Sequence, residues 1–364
     1  MTDVAGRSLP GEDLAHVLEH ARRDFEGLRG ARLFVTGGTG FFGKWLVETF
    51  LHANRELGLG AAMTVLSRNP ERFSAECPHL ARDASLSLQT GDVRRFEFSG
   101  ERYSHVIHGA TAASAKPETV QPLEMFDTIV EGTRRVLEFA ARAGVRRLLF
   151  LSSGAVYGPQ PSGMTHIPET WPGGPDPLQP GSAYGEGKRA AEFLCCASAK
   201  ARGFDVVIAR CFAFVGPHLP LYAHFAIGNF IADALAGRAI SIRGDGTPYR
   251  SYLHAADLAM WLWAILNRGE NGRAYNVGSD QGMTIREIAT AVEEVAGTTS
   301  GVVVAKPPTP GAAPARYVPS TERAHAELGL EQRIGLGEGV ARTIRWARET
   351  GRVSSLGLNL PMER

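Results

Sequence analysis

From Arg32 onward the chain alternates short runs of continuous or near-continuous apolar character with longer stretches of helical periodicity. The runs are RLFVTG, AMTVLS, LSLQTG, HVIHGA, RRLLFLSS and DVVIAR. Strands that are apolar on both faces and separated by helices belong to a parallel sheet covered on two sides. Six of them in succession predict an α/β fold built on a doubly wound parallel sheet.

The flanks read differently. Residues 12–28 space Leu14, Val17, Leu18, Ala21, Phe25 and Leu28 on one stripe, which predicts an amphipathic helix docked on the main fold as an N-terminal extension over 1–30. The main domain spans 31–211. After Cys211 the texture turns loop-rich, with a helix near 226–236, the segment GRAISIRGDGTPYRSYLHAADLA and the Pro-rich stretch AKPPTPGAAPARYVP, either a linker or an ordered loop over a cleft. This predicts a smaller α/β substrate-binding domain over 212–350, with some chain returning to the main sheet, and a tail over 351–364.

Charge narrows the ligand. Lys plus Arg number 39 and Asp plus Glu 38, so no strong field points to nucleic acid or an anionic membrane, and a small, locally recognised ligand is expected. The N-terminus has no positive region followed by an apolar run, and AADLAMWLWAIL, the nearest approach to a membrane span, is short and carries Asp257. Cys77, Cys195, Cys196 and Cys211 form no CxxC pair and no metal-like spacing with histidine, which suits a reducing, cytoplasmic setting with buried thiols and no metal. His105 and His108, three apart on a strand, point to opposite faces and do not make a metal pair.

RLFVTGGTGFFGKWLVETF sets Gly37, Gly40 and Gly43 directly after the first strand and at the start of a helix. The first glycine makes the tight turn, the second lets backbone approach a pyrophosphate, and the third lets helix and strand pack closely. A dinucleotide is the expected cofactor, with Phe41 and Phe42 beside it. After the second strand stand Ser67 and Arg68, with no carboxylate for a ribose hydroxyl; this favours NADP over NAD, the alternative being that Arg68 is a solvated surface charge.

The GxxGxxG spacing resembles the short-chain dehydrogenase/reductase superfamily, and the FFG variant its extended branch. TGDVRR resembles that family's adenine-contacting element, which implies Asp92 and Val93. HVIHGAT resembles the element beside the nicotinamide ribose, which implies Gly109, Ala110 and Thr111. LFLSSGAVYG is similar to the extended nucleotide-sugar epimerases and dehydratases, whose serine or threonine maps onto Ser153. The family's YxxxK is matched by Tyr184 and Lys188 in SAYGEGKRAAE. The resemblance implies that Tyr184 is the base, Ser153 its aid, and Lys188 both a cofactor contact and the charge that tunes the tyrosine. A tyrosine titrates at about 10, and bringing it near 7 takes roughly 4 kcal/mol, which a nearby ammonium and a positive nicotinamide can supply. Gly185 and Gly187 would leave room for cofactor and sugar.

Departures from the family pattern bear on the reaction. The 4,6-dehydratases carry Asp-Glu immediately after that serine or threonine, and the sugar decarboxylases a glutamate two residues before the motif tyrosine; here Gly154 and Ala155 stand in those places. A 4-epimerase or ketoreductase is implied over a dehydratase. Two usual asparagines are Ile129 and Ala213, which leaves a 3,5-epimerase or ring-size mutase open. Arg250 in GDGTPYRSYLHAADLA resembles the pyrophosphate arginine, with Arg316 as a second phosphate contact and Phe225 and Ala226 as base contacts; His218 and His224 read equally as loop surface or ligand contacts. The expected partner is a nucleotide-diphosphate sugar, with a homodimer through the helices at 120–143 and 184–201. A catalytically silent dinucleotide sensor is the alternative from another class.

Overall fold

The computed structural model describes residues 8–111, 121–221 and 225–351. In chain order the elements are α1 (Gly11–Glu26), β1 (Arg32–Thr36), α2 (Phe41–Glu56), β2 (Ala62–Ser67), α3 (Pro70–Glu76), α4 (Pro78–Ala81), β3 (Leu86–Thr90), β4 (His105–His108), α5 (Pro122–Ala143), β5 (Arg147–Ser153), α6 (Ala183–Arg202) and β6 (Asp205–Cys211). There follow β7 (Phe214–Val215), α7 (Ala226–Leu235), β8 (Ile240–Ile242), β9 (Tyr249–Arg250), β10 (Leu253–His254), α8 (Ala255–Arg268), β11 (Ala274–Val277), β12 (Met283–Thr284), α9 (Ile285–Ala296), β13 (Val302–Val304), β14 (Arg316–Tyr317), α10 (Glu322–Leu328) and α11 (Leu336–Glu349).

All six expected strands are present, in one sheet of order β11-β6-β5-β4-β1-β2-β3 with every neighbour parallel. The order reverses between β1 and β4, the place where doubly wound sheets open a crevice at their strand ends. The seventh strand, β11, is short, and Asn276 interrupts its apolar pattern. That asparagine is buried, accepting from the Tyr157 hydroxyl at 2.7 Å and donating to the Ile167 and Ser320 carbonyls at 2.9 and 3.1 Å. A polar side chain fully paired in the interior costs the fold little, but it hides the strand from a hydrophobicity reading.

Helices α1, α2 and α8 share a core with one face of the sheet, and α5 and α6 with the other. The stretch AADLAMWLWAIL is helix α8, buried from Ala255 to Leu266, so its all-round apolar character reflects enclosure within the protein. Its Asp257 accepts from the backbone N–H groups of Arg333 and Ile334, both at 2.9 Å, and pairs with His16 of α1 at 2.9 Å. Helix α1 lies where its stripe requires, with Val17, Ala21 and Phe25 buried. Among the described residues no helix is long and apolar enough to cross a membrane. Cys77, Cys195 and Cys211 are buried and Cys196 is half-buried, all four free.

Beyond β6 the chain forms a third core around α7, α9 and α11. Its strands are two or three residues long: β7 with β10, β8 with β13, and β12-β9-β14. Between α8 and β12 the chain re-enters the main sheet as β11.

Candidate active site

Gly37 leaves β1 at φ 78°, in the left-handed region. A β-carbon there would stand 2.6 Å from the Gly109 carbonyl carbon and 2.8 Å from the Ala110 nitrogen, so conformation and the loop after β4 both demand glycine. At Gly43 a β-carbon would lie 2.3 Å from the Gly37 carbonyl oxygen, which seats α2 directly on the turn. Gly40 meets only that oxygen, at 3.4 Å, and caps α2 with no side-chain hydrogen bond. The first-turn amides of α2 are left for solvent or a ligand, and the helix dipole favours an anion there. The donor set fits a dinucleotide pyrophosphate.

The side chains expected around that cofactor fare unevenly. Phe41 and Phe42 are half-buried: Phe42 meets Phe214 edge-on at 5.0 Å and Phe41 packs on the third core. Ser67 is buried and accepts the Asn69 N–H at 3.2 Å, while Arg68 is exposed at the end of β2. Asp92 is gripped by Arg94 through two bonds of 3.0 Å, which hold its carboxylate down at about 2. Val93 is buried against Gly132 of α5, whose β-carbon would come within 2.9 Å of it, so its side chain is core and not a contact surface. Gly109 donates to the Thr36 carbonyl at 3.0 Å, and Thr111 Oγ1 approaches Met125 Sδ at 3.9 Å.

Ser153 ends β5 at the same edge of the sheet as Gly37 and Gly109. Its hydroxyl accepts the Ala155 N–H at 3.2 Å, capping a 3-10 turn over Gly154–Tyr157. Tyr184 begins α6 and hydrogen-bonds Ser153; burial, opposed by that bond, pushes its phenol up to about 12. Lys188, one turn on, is buried, and its Nζ donates to the Leu151 carbonyl at 2.7 Å, 5.9 Å from the Tyr184 ring centroid. Burial pushes the lysine down to about 8. In the chain without its dinucleotide the short contact of Lys188 is with backbone, and desolvation dominates both groups.

The room expected at Gly185 and Gly187 is taken up by protein. A β-carbon at Gly185 would lie 2.7 Å from Pro175 and 2.8 Å from the Ala155 carbonyl oxygen, and one at Gly187 3.2 Å from Ile129. They let α6 close on the 3-10 turn and on α5, so their job is packing. Ile129, in the place of a usual asparagine, is part of that apolar contact. The motif tyrosine Tyr157 is buried and structural, held between Arg210 at 2.9 Å and Asn276 at 2.7 Å.

Tyr317 was missed by sequence reasoning. It comes from β14, far along the chain, and hydrogen-bonds Ser153; burial pushes its phenol up. Its only sequence signal was a place beside Arg316 in the Pro-rich stretch, whose end, β14, lies beside the site. Parallel pairing puts Tyr317 opposite Arg250 and Arg316 opposite Tyr249. Adjacent strand residues face opposite ways, so Arg250 stands by Tyr317, 5.8 Å from its ring, while Arg316 stacks at 3.9 Å on Tyr249 across the small sheet. The two arginines expected on one pyrophosphate are not on one face. Phe225 caps α7 and is 41% exposed, Ala226 packs on the third core, and His218 is buried, edge-on to Trp346 at 4.7 Å. His224 lies outside the described residues, as do 112–120, including the first residue of the helix expected at 120–143, and all of the tail but Gly351.

Residues 33–278 match the NAD dependent epimerase/dehydratase family. Across 319 residues the chain is 30% identical to UDP-glucuronic acid decarboxylase 1 of Xenopus tropicalis, covering 87% of this chain and 72% of the relative. The dTDP-glucose 4,6-dehydratase DesIV of Streptomyces venezuelae, solved with NAD bound, superposes with a TM-score of 0.73 at 28% identity, over 87% of this chain and 97% of that one. The UDP-glucose 4-epimerase of Thermotoga maritima shares the fold at a TM-score of 0.73 and 24% identity, over 88% and 99% of the two chains. With the glycine turn, the Ser153–Tyr184–Lys188 cluster and the parallel sheet beneath them, this chain belongs to the NAD dependent epimerase/dehydratase family.

Proposed function

We propose that the protein is an NAD(P)-dependent epimerase that acts on a nucleotide-diphosphate sugar by transient oxidation of a ring hydroxyl. The observation that carries the choice within the family is Gly154. A β-carbon there would come 2.7 Å from the Tyr317 hydroxyl and 2.8 Å from the Phe212 ring. The space in which the dehydratases carry an acid is filled by two aromatic side chains, and Ala155 offers no carboxylate either. Without a general acid or base for elimination, the groups left at the strand end are hydroxyls.

Those groups suit reversible proton movement at one carbinol. Tyr184 takes the hydroxyl proton, and Ser153, between Tyr184 and Tyr317, orients the oxygen. When bound, the dinucleotide supplies the hydride acceptor and donor, and in its oxidised form a positive charge. Beside such a charge Tyr184 ionises well below the value burial imposes on it. Lys188, anchored on Leu151, keeps the first turn of α6 against β5 at the cofactor's edge. Arg250 is the pyrophosphate contact of the sugar nucleotide, through the bidentate geometry of guanidinium, and Phe225 and Ala226 border the base. Leu123 of α5 and Phe193 of α6 are 77% and 72% exposed, and we assign the outward faces of these two packed helices to a homodimer contact.

A second reading is favoured by Ser67 and the exposed Arg68, which suit a 2′-phosphate: an NADPH-consuming reductase of a 4-keto sugar nucleotide. Incubation with UDP-, dTDP-, GDP- and CDP-sugars, with products resolved and absorbance of the reduced cofactor followed, separates the two. Isomerised sugar without net cofactor change supports the epimerase. Stoichiometric loss of NADPH on a keto sugar supports the reductase, and loss of water or carbon dioxide from the sugar overturns both.

A further inference from the structure

Beneath the glycine turn a line of hydrogen bonds crosses from α5 to the loop after β4. Thr133 Oγ1 donates to the Ile129 carbonyl at 2.7 Å, which commits its hydrogen, so it accepts from His108 Nε2 at 3.0 Å. His108 Nδ1 is then an acceptor and takes the Thr36 hydroxyl hydrogen at 2.7 Å. Thr36 Oγ1 in turn accepts the Ala110 N–H at 3.2 Å. Only this order of protons satisfies every group, and it requires a neutral imidazole protonated on Nε2. Burial and the Lys188 charge hold it neutral, pushing its titration down to about 3.

The line ends where the cofactor turn begins. Thr36 immediately precedes Gly37, and Gly37 closes against Gly109 and Ala110 with no room for a β-carbon. We propose that His108 is a positioning residue for the dinucleotide: locked as one tautomer, it orients Thr36 and so fixes the Ala110 amide and the loop on which the glycine turn rests. The group that sequence spacing only excluded as a metal ligand thereby gains a role.

The proposal rests on a dinucleotide lying on the glycine turn, which titrating the unaltered protein with NAD(H) and NADP(H) checks by itself; a protein that binds none of them overturns that reading. With binding established, His108→Gln keeps a donor for Thr133 but loses the acceptor for Thr36. Its Kd is expected to rise about tenfold, the worth of one buried hydrogen bond. His108→Asn, whose Oδ1 stands at the Nδ1 place, is expected to stay within about threefold of the unaltered protein. Equal affinity in all three proteins, or equal loss in both variants, overturns the proposal. Should a variant fail to fold, nitrogen NMR of the unaltered protein decides. One Nε2–H tautomer is expected from about pH 5 to about pH 9. A ring that titrates in that window, or carries its proton on Nδ1, contradicts it.

Discussion

The cofactor side and the substrate side of the crevice are built on different principles. The cofactor side comes from the ends of β1, β4 and β5 with the turns that follow them, and backbone shapes it: Gly37 and Gly43 stand where any β-carbon would collide with main chain. The substrate side is gathered from two- and three-residue strands separated along the chain, and its chemistry rests on side chains such as Arg250, Phe212 and Tyr317. The first is therefore unforgiving of added volume. The second is as tight at Gly154, where a β-carbon would meet Tyr317 and Phe212, but is sensitive elsewhere to the loss of a particular functional group.

The largest effect is expected where the two sides meet. Tyr184→Phe should lower turnover of a confirmed nucleotide sugar about a thousandfold while leaving the Kd of the reduced dinucleotide and the thermal midpoint near their original values, as steady-state kinetics, calorimetry and melting curves would show. If turnover survived, the base would lie elsewhere. Next, Gly43→Val forces a side chain into the Gly37 carbonyl, and should cost about 3 kcal/mol or more by denaturant titration together with dinucleotide binding. A stable, binding-competent valine variant would break the contrast between the two sides.

On the substrate side, Arg250→Ala is expected to raise KM for the sugar nucleotide about tenfold or more, and Arg316→Ala less than about threefold, with melting midpoints little changed. Equal effects would mean that the small sheet presents both arginines to one ligand. The smallest effect is a pH dependence. Burial raises Tyr184 to about 12, and its ionised form favours the positive ring of an oxidised dinucleotide. Affinity for the oxidised form should therefore rise with pH between the lower value Tyr184 takes in the complex and about 12, by at most tenfold per pH unit, while the reduced form shows no such trend. In Tyr184→Phe the trend should vanish.

The same contrast explains what could be read from sequence. The cofactor side was legible because its signals are local: an apolar strand, a glycine spacing and a helix start lie within 20 consecutive residues, and all six runs became strands. Ser153, Tyr184 and Lys188 were legible by resemblance and do converge. Three things escaped. A return of chain to the main sheet was expected, but not that β11 makes it, because Asn276 satisfies its polarity in the interior, with partners at Tyr157, Ile167 and Ser320 that are remote in sequence. Tyr317 escaped because its position depends on pairing with β9, almost 70 residues earlier. The burial of Tyr184 and Lys188 was not legible because spacing reveals proximity but not desolvation, which sets both groups in the chain without its dinucleotide. Gly185 and Gly187, read as space for ligand, are space for Ala155, Pro175 and Ile129.

The most direct test of hydride shuttling at Tyr184 is the fate of the hydrogen on the inverted carbon when a substrate sugar nucleotide turns over in deuterium oxide. Expected is an epimerised product that carries no solvent deuterium at that carbon and leaves the cofactor unchanged in net, because the hydrogen departs and returns as hydride. Deuterium at the inverted carbon, or product that has lost water or carbon dioxide, would contradict it.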